Sequence, residues 1–262
     1  MKVLIAVLAL LTAASTYAGD MQKYLSDTQD LVRQGKKQEA LEHFIWFHDH
    51  ALEYEPAMYG VRLSFALSYW KQLGDGYPPA LVAMKKIRDD KTALLADKKG
   101  NRTLFHDVMA LNRTLGEDSK TVDLFRKLDQ EQKELAMQCW DVAKEAIVKA
   151  KAYDLARKYI SNPVREFDKV KAMYDQNTAM YGGENFGERF KAFNENHFVE
   201  ETIRLIDVAV ALNDSNAAKE IQLQALAILD DYRLRDAIPS EKVKEAQPTN
   251  APYSSPAVGS KR

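Results

Sequence analysis

One pattern occurs three times in this chain and limits what it can fold into. In each copy, a stretch with apolar residues every three or four positions ends at a glycine, and a second such stretch begins soon after. The glycines are Gly35, Gly74 and Gly116, which lie 39 and 42 residues apart. Apolar side chains at these intervals share one face of a helix, so the pattern predicts helical hairpins. A single hairpin cannot bury its apolar face, and neighbouring hairpins are therefore expected to stack.

Weaker copies of the pattern turn at Ala150-Lys151 and at Asn213, which gives about five units in all. Glycine suits the turn because a helix that ends in the left-handed conformation favours a residue without a Cβ atom, and asparagine is the usual substitute. The period-two alternation of strands is absent from the sequence, so the chain is predicted to be all-α. The expected helices are 20–34, 37–55, 57–73, 79–96, 103–115, 118–129, 131–150, 152–160, 163–181, 187–212 and 214–236.

The first residues of the chain have the pattern of a secretory signal peptide. Lys2 supplies a positive charge, an apolar run extends from Val3 to Ala14, and Thr16-Tyr17-Ala18 offers a cleavage site. The alternative, a membrane anchor, is disfavoured because a spanning helix needs roughly 20 apolar residues. We expect cleavage after Ala18, a periplasmic or secreted chain, and no transmembrane segment after signal cleavage.

Composition narrows the possible functions. The formal net charge is −1, so nucleic acid is not an expected partner. Cys139 is the single cysteine of the chain, so an exported form has no internal disulfide. The sequence contains neither the nucleophile pattern of the α/β-hydrolases nor the zinc-protease pattern. We therefore expect no catalytic residues, no bound metal and no cofactor.

The hairpin pattern resembles that of the tetratricopeptide repeat family. The resemblance is carried by Tyr24, Leu31, Gly35, Ala40 and Phe44 in the first unit, by Leu67, Ser68, Gly74, Ala80, Met84 and Ile87 in the second, and by Val108, Gly116, Phe125 and Leu128 in the third. The units are longer than the roughly 34 residues of the family, and no subfamily is identified. The resemblance implies a right-handed solenoid of antiparallel helical hairpins with a concave face.

These patterns divide the chain into five segments. They are a signal peptide at 1–18, a hairpin array at 19–181, a glycine-rich connector at 182–187, a C-terminal helical pair packed on the array at 188–238, and a proline- and serine-rich tail at 239–262. The tail is expected to be disordered because it has too little apolar content to bury. The connector is expected to act as a hinge.

The resemblance also implies which side chains face the concave groove. They are Arg33, Arg62, Phe65, Tyr69, His106 and Arg113 at a basic and aromatic end, and Asp141, Glu145, Glu200 and Asp207 at an acidic end. Carboxylate-binding members of the family use lysine and asparagine where this chain has Phe65 and Tyr69, so that function is not supported. The alternative is that Phe65 and Tyr69 pack against the next hairpin, because aromatic residues at helical spacing often belong to the core.

A second candidate site is the helix face around His43 and His50. The residues that share this face are Glu39, His43, Trp46, His50 and Glu53. His43 and His50 are two turns apart, roughly 10 Å, which is too far for both to hold one metal ion. The face is interpreted as exposed to solvent or to a partner, with a metal site as the alternative. His48 lies on the opposite face and is expected at the edge of the core with its hydrogen bonds satisfied.

Together these features predict a non-enzymatic, exported scaffold that binds a peptide or protein segment in its groove. The arginines favour an acidic segment, because guanidinium groups bind carboxylates strongly. The alternative is a metal- or small-ligand-binding protein, or an unusual hydrolase, that uses the His43–His50 face. A third possibility is a structural envelope component whose tail is its working end.

Overall fold

A computed structural model describes residues 20–181 and 187–238. The predicted signal peptide, residues 182–186 of the predicted connector and the predicted tail lie outside the described residues. Over the part described, the chain is all-α, as predicted, and contains no strand. No helix in these ranges has the length and apolar content that crossing a membrane requires. The α-helices are α1 (Met21–Arg33), α2 (Lys37–Tyr54), α3 (Tyr59–Arg62), α4 (Phe65–Gly76), α5 (Pro78–Ala96), α6 (Arg102–Leu115), α7 (Asp118–Glu131), α8 (Lys133–Lys149), α9 (Tyr153–Tyr159), α10 (Pro163–Tyr181), α11 (Gly187–Ala211), α12 (Ser215–Ile228) and α13 (Tyr232–Arg235), and a 3-10 helix spans Pro56–Met58.

Four helix ends share one capping arrangement. At Gly35, Gly116, Asn213 and Lys98, the backbone is left-handed, with φ between 59° and 77°. In each case the N–H of this residue donates to the carbonyl three residues back, and the next N–H donates to the carbonyl five residues back. These bonds satisfy the last carbonyls of the helix. The predicted left-handed turns at Gly35, Gly116 and Asn213 are confirmed, whereas the one at Lys98 carries no sequence signal.

The prediction that Gly74 ends a helix in the left-handed conformation is wrong. α4 continues to Gly76, and Gly74 is a buried residue within it. A Cβ atom at Gly74 would lie 2.5 Å from Cδ2 and 2.6 Å from Cγ of Leu81 on α5. Glycine is needed here because α5 approaches α4 closely, and not because the backbone turns.

Two of the predicted helices are interrupted. The segment 57–73 holds the 3-10 turn, α3 and a break at Leu63-Ser64, where Ser64 has φ −128° and ψ −87°. The segment 214–236 leaves the helix at Leu229, which is extended, and resumes at Tyr232. Neither break contains glycine or proline. At the second break, Asp231 caps α13, because its carboxylate accepts a hydrogen bond from the backbone N–H of Arg233 at 2.8 Å.

The chain forms two compact units, with the boundary between Ala150 and Lys151. In the first unit, α1 packs on α2, α4 on α5, α6 on α5 and α7, and α7 on α8. In addition, α1 contacts α4, α4 contacts α6, and α6 contacts α8. The largest fully buried side chains of this unit include Tyr24, Phe44, Trp70, Phe105 and Phe125.

The second unit is built around α11. This helix packs on α9, α10, α12 and α13, and α10 also contacts α12. Phe167 of α10 and Phe198 of α11 are buried against each other, with ring centroids 6.1 Å apart. The expected division placed 163–181 within the hairpin array and made 188–238 a separate helical pair packed on it. The packing instead groups α10 with the helices that follow it.

Candidate functional site

A buried ionic cluster lies at the point where α2, α3, α5 and α6 meet. Arg62 is 4% exposed, and its Nη1 and Nη2 both donate to the carboxylate of Asp107. Nη1 also donates to the backbone carbonyl of His48 at 3.0 Å. The Nζ atom of Lys91 donates to the same Asp107 carboxylate at 2.5 Å. Burial opposes ionisation of Asp107, but the hydrogen bonds from Arg62 and Lys91 outweigh it and lower the pKa of the carboxyl group.

The expectation that Arg62 faces an open groove is therefore wrong. Its guanidinium is enclosed and already bound to a carboxylate, so it cannot offer its charge to a ligand. The physical reason is the break at Leu63-Ser64. Because α3 ends at Arg62, this residue does not follow the register of one continuous helix that includes Phe65 and Tyr69.

Tyr59 connects this cluster to the surface. Its ring centroid lies 5.9 Å from Cζ of Arg62, and its hydroxyl lies 2.9 Å from Nδ1 of His106. Tyr59 and His106 are half-buried, and Nε2 of His106 bonds no residue that the structure describes. Burial and the positive charge of Arg102 lower the pKa of His106, so the ring is neutral at pH 7. Tyr59 was not predicted as a site residue. The signal that could have indicated it is its position just after Pro56, in the connection between two hairpins.

Arg113 and Phe65 add an exposed charge on α6 and an exposed apolar ring on a helix that packs against it. Arg113 lies two turns beyond His106 on α6, on the same face, and is exposed. No carboxylate among the described residues pairs with it. Phe65 begins α4, which packs on α6, and it is 62% exposed. We define Tyr59, Phe65, His106 and Arg113 as the α4–α6 surface.

The remaining predicted groove residues are distributed differently. Tyr69 is half-buried and packs against the core of the first unit. Arg33 is exposed at the end of α1 and pairs with Asp30, and no contact joins it to the α4–α6 surface. Asp141 of α8 is bound through both oxygens by Arg102, at 3.2 and 2.5 Å.

The other predicted acidic residues are divided between the two units. Glu145 is an exposed residue of the first unit, whereas Glu200 and Asp207 belong to α11 in the second unit. Nη2 of Arg204 lies 3.5 Å from Oε2 of Glu200. Burial raises the pKa of Asp207.

The His43–His50 face is largely covered by aromatic side chains. Trp46 packs on Tyr24 with ring centroids 4.8 Å apart, and His43 stacks on Tyr24 at 5.0 Å. His50 is half-exposed, and its Nδ1 lies 3.1 Å from Oε1 of Glu53. Trp46 is half-buried rather than exposed. In the described ranges, no three histidine, cysteine or carboxylate side chains are grouped so that they could hold a metal ion.

His48 also differs from expectation. It is 2% exposed, and neither of its ring nitrogens has a hydrogen-bond partner, so its hydrogen bonds are not satisfied. The ring packs edge-on against Trp70, with centroids 6.2 Å apart. Cys139 is buried too, and burial raises the pKa of its thiol to about 12, so the thiol is protonated at neutral pH.

A second buried arginine was not predicted. Arg88 on α5 is 3% exposed and donates to Asn112 at 2.8 Å and to Glu117 at 2.6 Å. Asn112 in turn donates to Thr121 at 3.1 Å, so the network joins α5, α6 and α7. In the sequence, Arg88 lies among charged residues, which give no sign that it is buried.

No family model, curated protein or solved structure matches this chain.

Proposed function

We propose that this chain is a non-enzymatic scaffold that binds an acidic peptide or protein segment on the α4–α6 surface. The observation that carries the proposal is Arg113, an exposed arginine without a carboxylate partner among the described residues. It stands on the same helix face as His106, beside the helix that presents Phe65. A guanidinium, a free ring nitrogen and an exposed phenyl ring suit a ligand that combines acidic and apolar side chains.

The buried cluster beneath this surface supports the proposal. Arg62 is held by Asp107 and by the His48 carbonyl, and it packs near the ring of Tyr59. Tyr59 then fixes Nδ1 of His106, which leaves Nε2 available. Side chains that are held in place before binding lose less conformational freedom when a ligand arrives, and affinity gains accordingly.

We further propose that the first unit, over 20–150, is a tetratricopeptide-like stack of helical hairpins. In support, α1 contacts α4, α4 contacts α6, and α6 contacts α8, as expected for the first helices of successive hairpins, and two of the three glycine turns are left-handed. At Gly74, glycine instead allows α5 to pack closely on α4. We also propose that the chain is exported after loss of residues 1–18, with Gly19 as the first residue of the mature form, which mass spectrometry of the native protein would detect.

Peptide selection tests the binding proposal. Randomised peptides displayed on phage are selected on the immobilised mature chain, and the affinity of an enriched peptide is measured by fluorescence anisotropy. We expect enrichment of Asp and Glu together with apolar residues, and binding that weakens as salt is added. Arg113→Ala should weaken binding about tenfold, which is one charge-assisted hydrogen bond at the low end of its range. Phe65→Ala should weaken it through lost apolar contact.

The matched control is Lys127→Ala, which changes an exposed lysine on α7, a helix that contributes no residue to the α4–α6 surface. It removes the same charge as Arg113→Ala, so a purely long-range electrostatic effect would weaken binding in both variants. Equal losses in the two variants, or selection of peptides without acidic residues, would refute the proposal.

A further inference from the structure

His48 is a buried, polar side chain in a setting that cannot accommodate its protonated form. Both ring nitrogens lie in the core without a hydrogen-bond partner, and the ring touches Trp70 of α4, which does not titrate. A neutral imidazole at this position already leaves its donor and acceptor unsatisfied. A protonated imidazole would bury two donors and a full charge, which costs far more.

The charged groups around His48 make this cost larger. Arg62 of α3 and Lys91 of α5 are both cations, and Asp107 of α6 is the carboxylate that binds them. Asp49, on the same helix as His48, is exposed. A proton on His48 would therefore add a third positive charge beside a single buried carboxylate that already accepts hydrogen bonds from both cations.

A chain of contacts leads from His48 to the α4–α6 surface. The backbone carbonyl of His48 accepts a hydrogen bond from Arg62 at 3.0 Å. The guanidinium of Arg62 lies 5.9 Å from the ring centroid of Tyr59, whose hydroxyl bonds His106 at 2.9 Å. Loss of the Arg62 position would therefore disturb the side chains that are proposed to bind the ligand.

We propose that His48 is an acid-sensitive latch: when its ring takes up a proton, the Arg62 cluster opens and the α4–α6 surface loses its arrangement and its ligand. The release of a ligand rests on the proposed function, whereas the opening of the cluster does not. Burial, with Arg62 and Lys91 nearby, lowers the pKa of His48 to about 3 in the folded chain. An opened chain takes up the proton near the ordinary pKa of about 6.5, so stability is lost progressively as the pH falls from 6.5 towards 3.

The test follows the mature, ligand-free chain as the pH is lowered. Histidine ring signals in NMR spectra report His48 and His106 separately, and far-UV circular dichroism reports helix content. We expect His48 to stay neutral until a cooperative opening, and the His106 signals to change at the same pH. His48→Leu removes the titrating ring and fills the site with an apolar side chain of similar size. It should lower the midpoint of opening by about one pH unit.

His50→Leu is the matched control, because it removes a half-exposed histidine from the same helix and should leave the midpoint unchanged. If His48→Leu does not fold, the wild-type NMR titration still decides the question. A His48 ring that titrates near pH 6.5 while the fold remains intact would overturn the proposal. So would a midpoint that is the same in wild type and His48→Leu. None of these measurements uses a ligand, so a failure of the binding proposal would not change them.

Discussion

A buried arginine stabilises a fold only while its carboxylate partner remains paired with it. Arg62 and Asp107 are 4% and 6% exposed at their side chains, and Lys91 shares the carboxylate. Breaking such a pair by removing one member leaves an uncompensated buried charge, which is more damaging than never having built the pair. A substitution of Arg62 is therefore expected to lower the stability of the fold, whether or not a ligand is present.

We predict that Arg62→Ala lowers the free energy of unfolding by about 3 kcal/mol, the low end of the range for a broken buried pair, because Lys91 still binds the buried Asp107 carboxylate. Urea denaturation followed by circular dichroism measures the change. Arg113→Ala, which removes an exposed and unpaired arginine, should alter the free energy of unfolding by no more than about 0.5 kcal/mol. Similar losses in the two variants would mean that the Arg62–Asp107 pair contributes little.

The burial of Arg62 could not be predicted from the sequence. The family resemblance implied a groove position for Arg62, because its register was counted along an unbroken helix over 57–73. Leu63 and Ser64 are compatible with a helix, and only their tertiary surroundings end α3 there. Arg113, in contrast, lies in a helix whose bounds were predicted to within one residue, and it is exposed as expected.

At the scale of the helix, two physical demands can both select glycine. Gly116 has φ +71° and nothing within 4 Å of its Cβ position, so it serves the backbone. Gly74 has a helical backbone, and a Cβ atom there would meet the side chain of Leu81. Both glycines occupy the same position of the sequence pattern. The sequence alone therefore does not show whether a glycine serves a left-handed backbone or a close contact between helices.

We predict that Gly74→Ala and Gly116→Ala each destabilise the chain, and that trimming Leu81 rescues only the first. In Gly74→Ala the new methyl group overpacks against Leu81, at a cost of about 1–3 kcal/mol. In Gly116→Ala the left-handed backbone itself is strained, at a cost of about 1–2 kcal/mol. Thermal melts of the single variants and of each combined with Leu81→Ala measure this. If Leu81→Ala raised the melting temperature of both glycine variants equally, overpacking at Gly74 would be excluded.

At the scale of the whole molecule, each of the two units has a buried core of its own. Tyr24, Trp70 and Phe125 belong to the first, and Phe167 and Phe198 to the second. Helix periodicity predicted the all-α class and most helix bounds. It could not predict the unit boundary, because the turn at Lys151 is left-handed like a turn within a hairpin and does not show which helices α10 will contact.

This boundary predicts which fragments of the chain fold. A fragment of residues 20–150 contains every helix of the first unit and should unfold cooperatively, as a compact domain does.

A fragment of 20–181, which ends where the sequence placed its boundary, adds α9 and α10 without α11 and α12. Phe167, which is fully buried against Phe198 in the whole chain, would then be exposed to solvent. We expect the longer fragment to bind more of a hydrophobic dye such as ANS than the shorter one, and to gain little helix from its extra residues. Thermal melts and dye titrations of both fragments measure this. Equal dye binding together with a full gain of helix in 20–181 would place α10 in the first unit, and the hairpin array would then extend to Tyr181 as the sequence suggested.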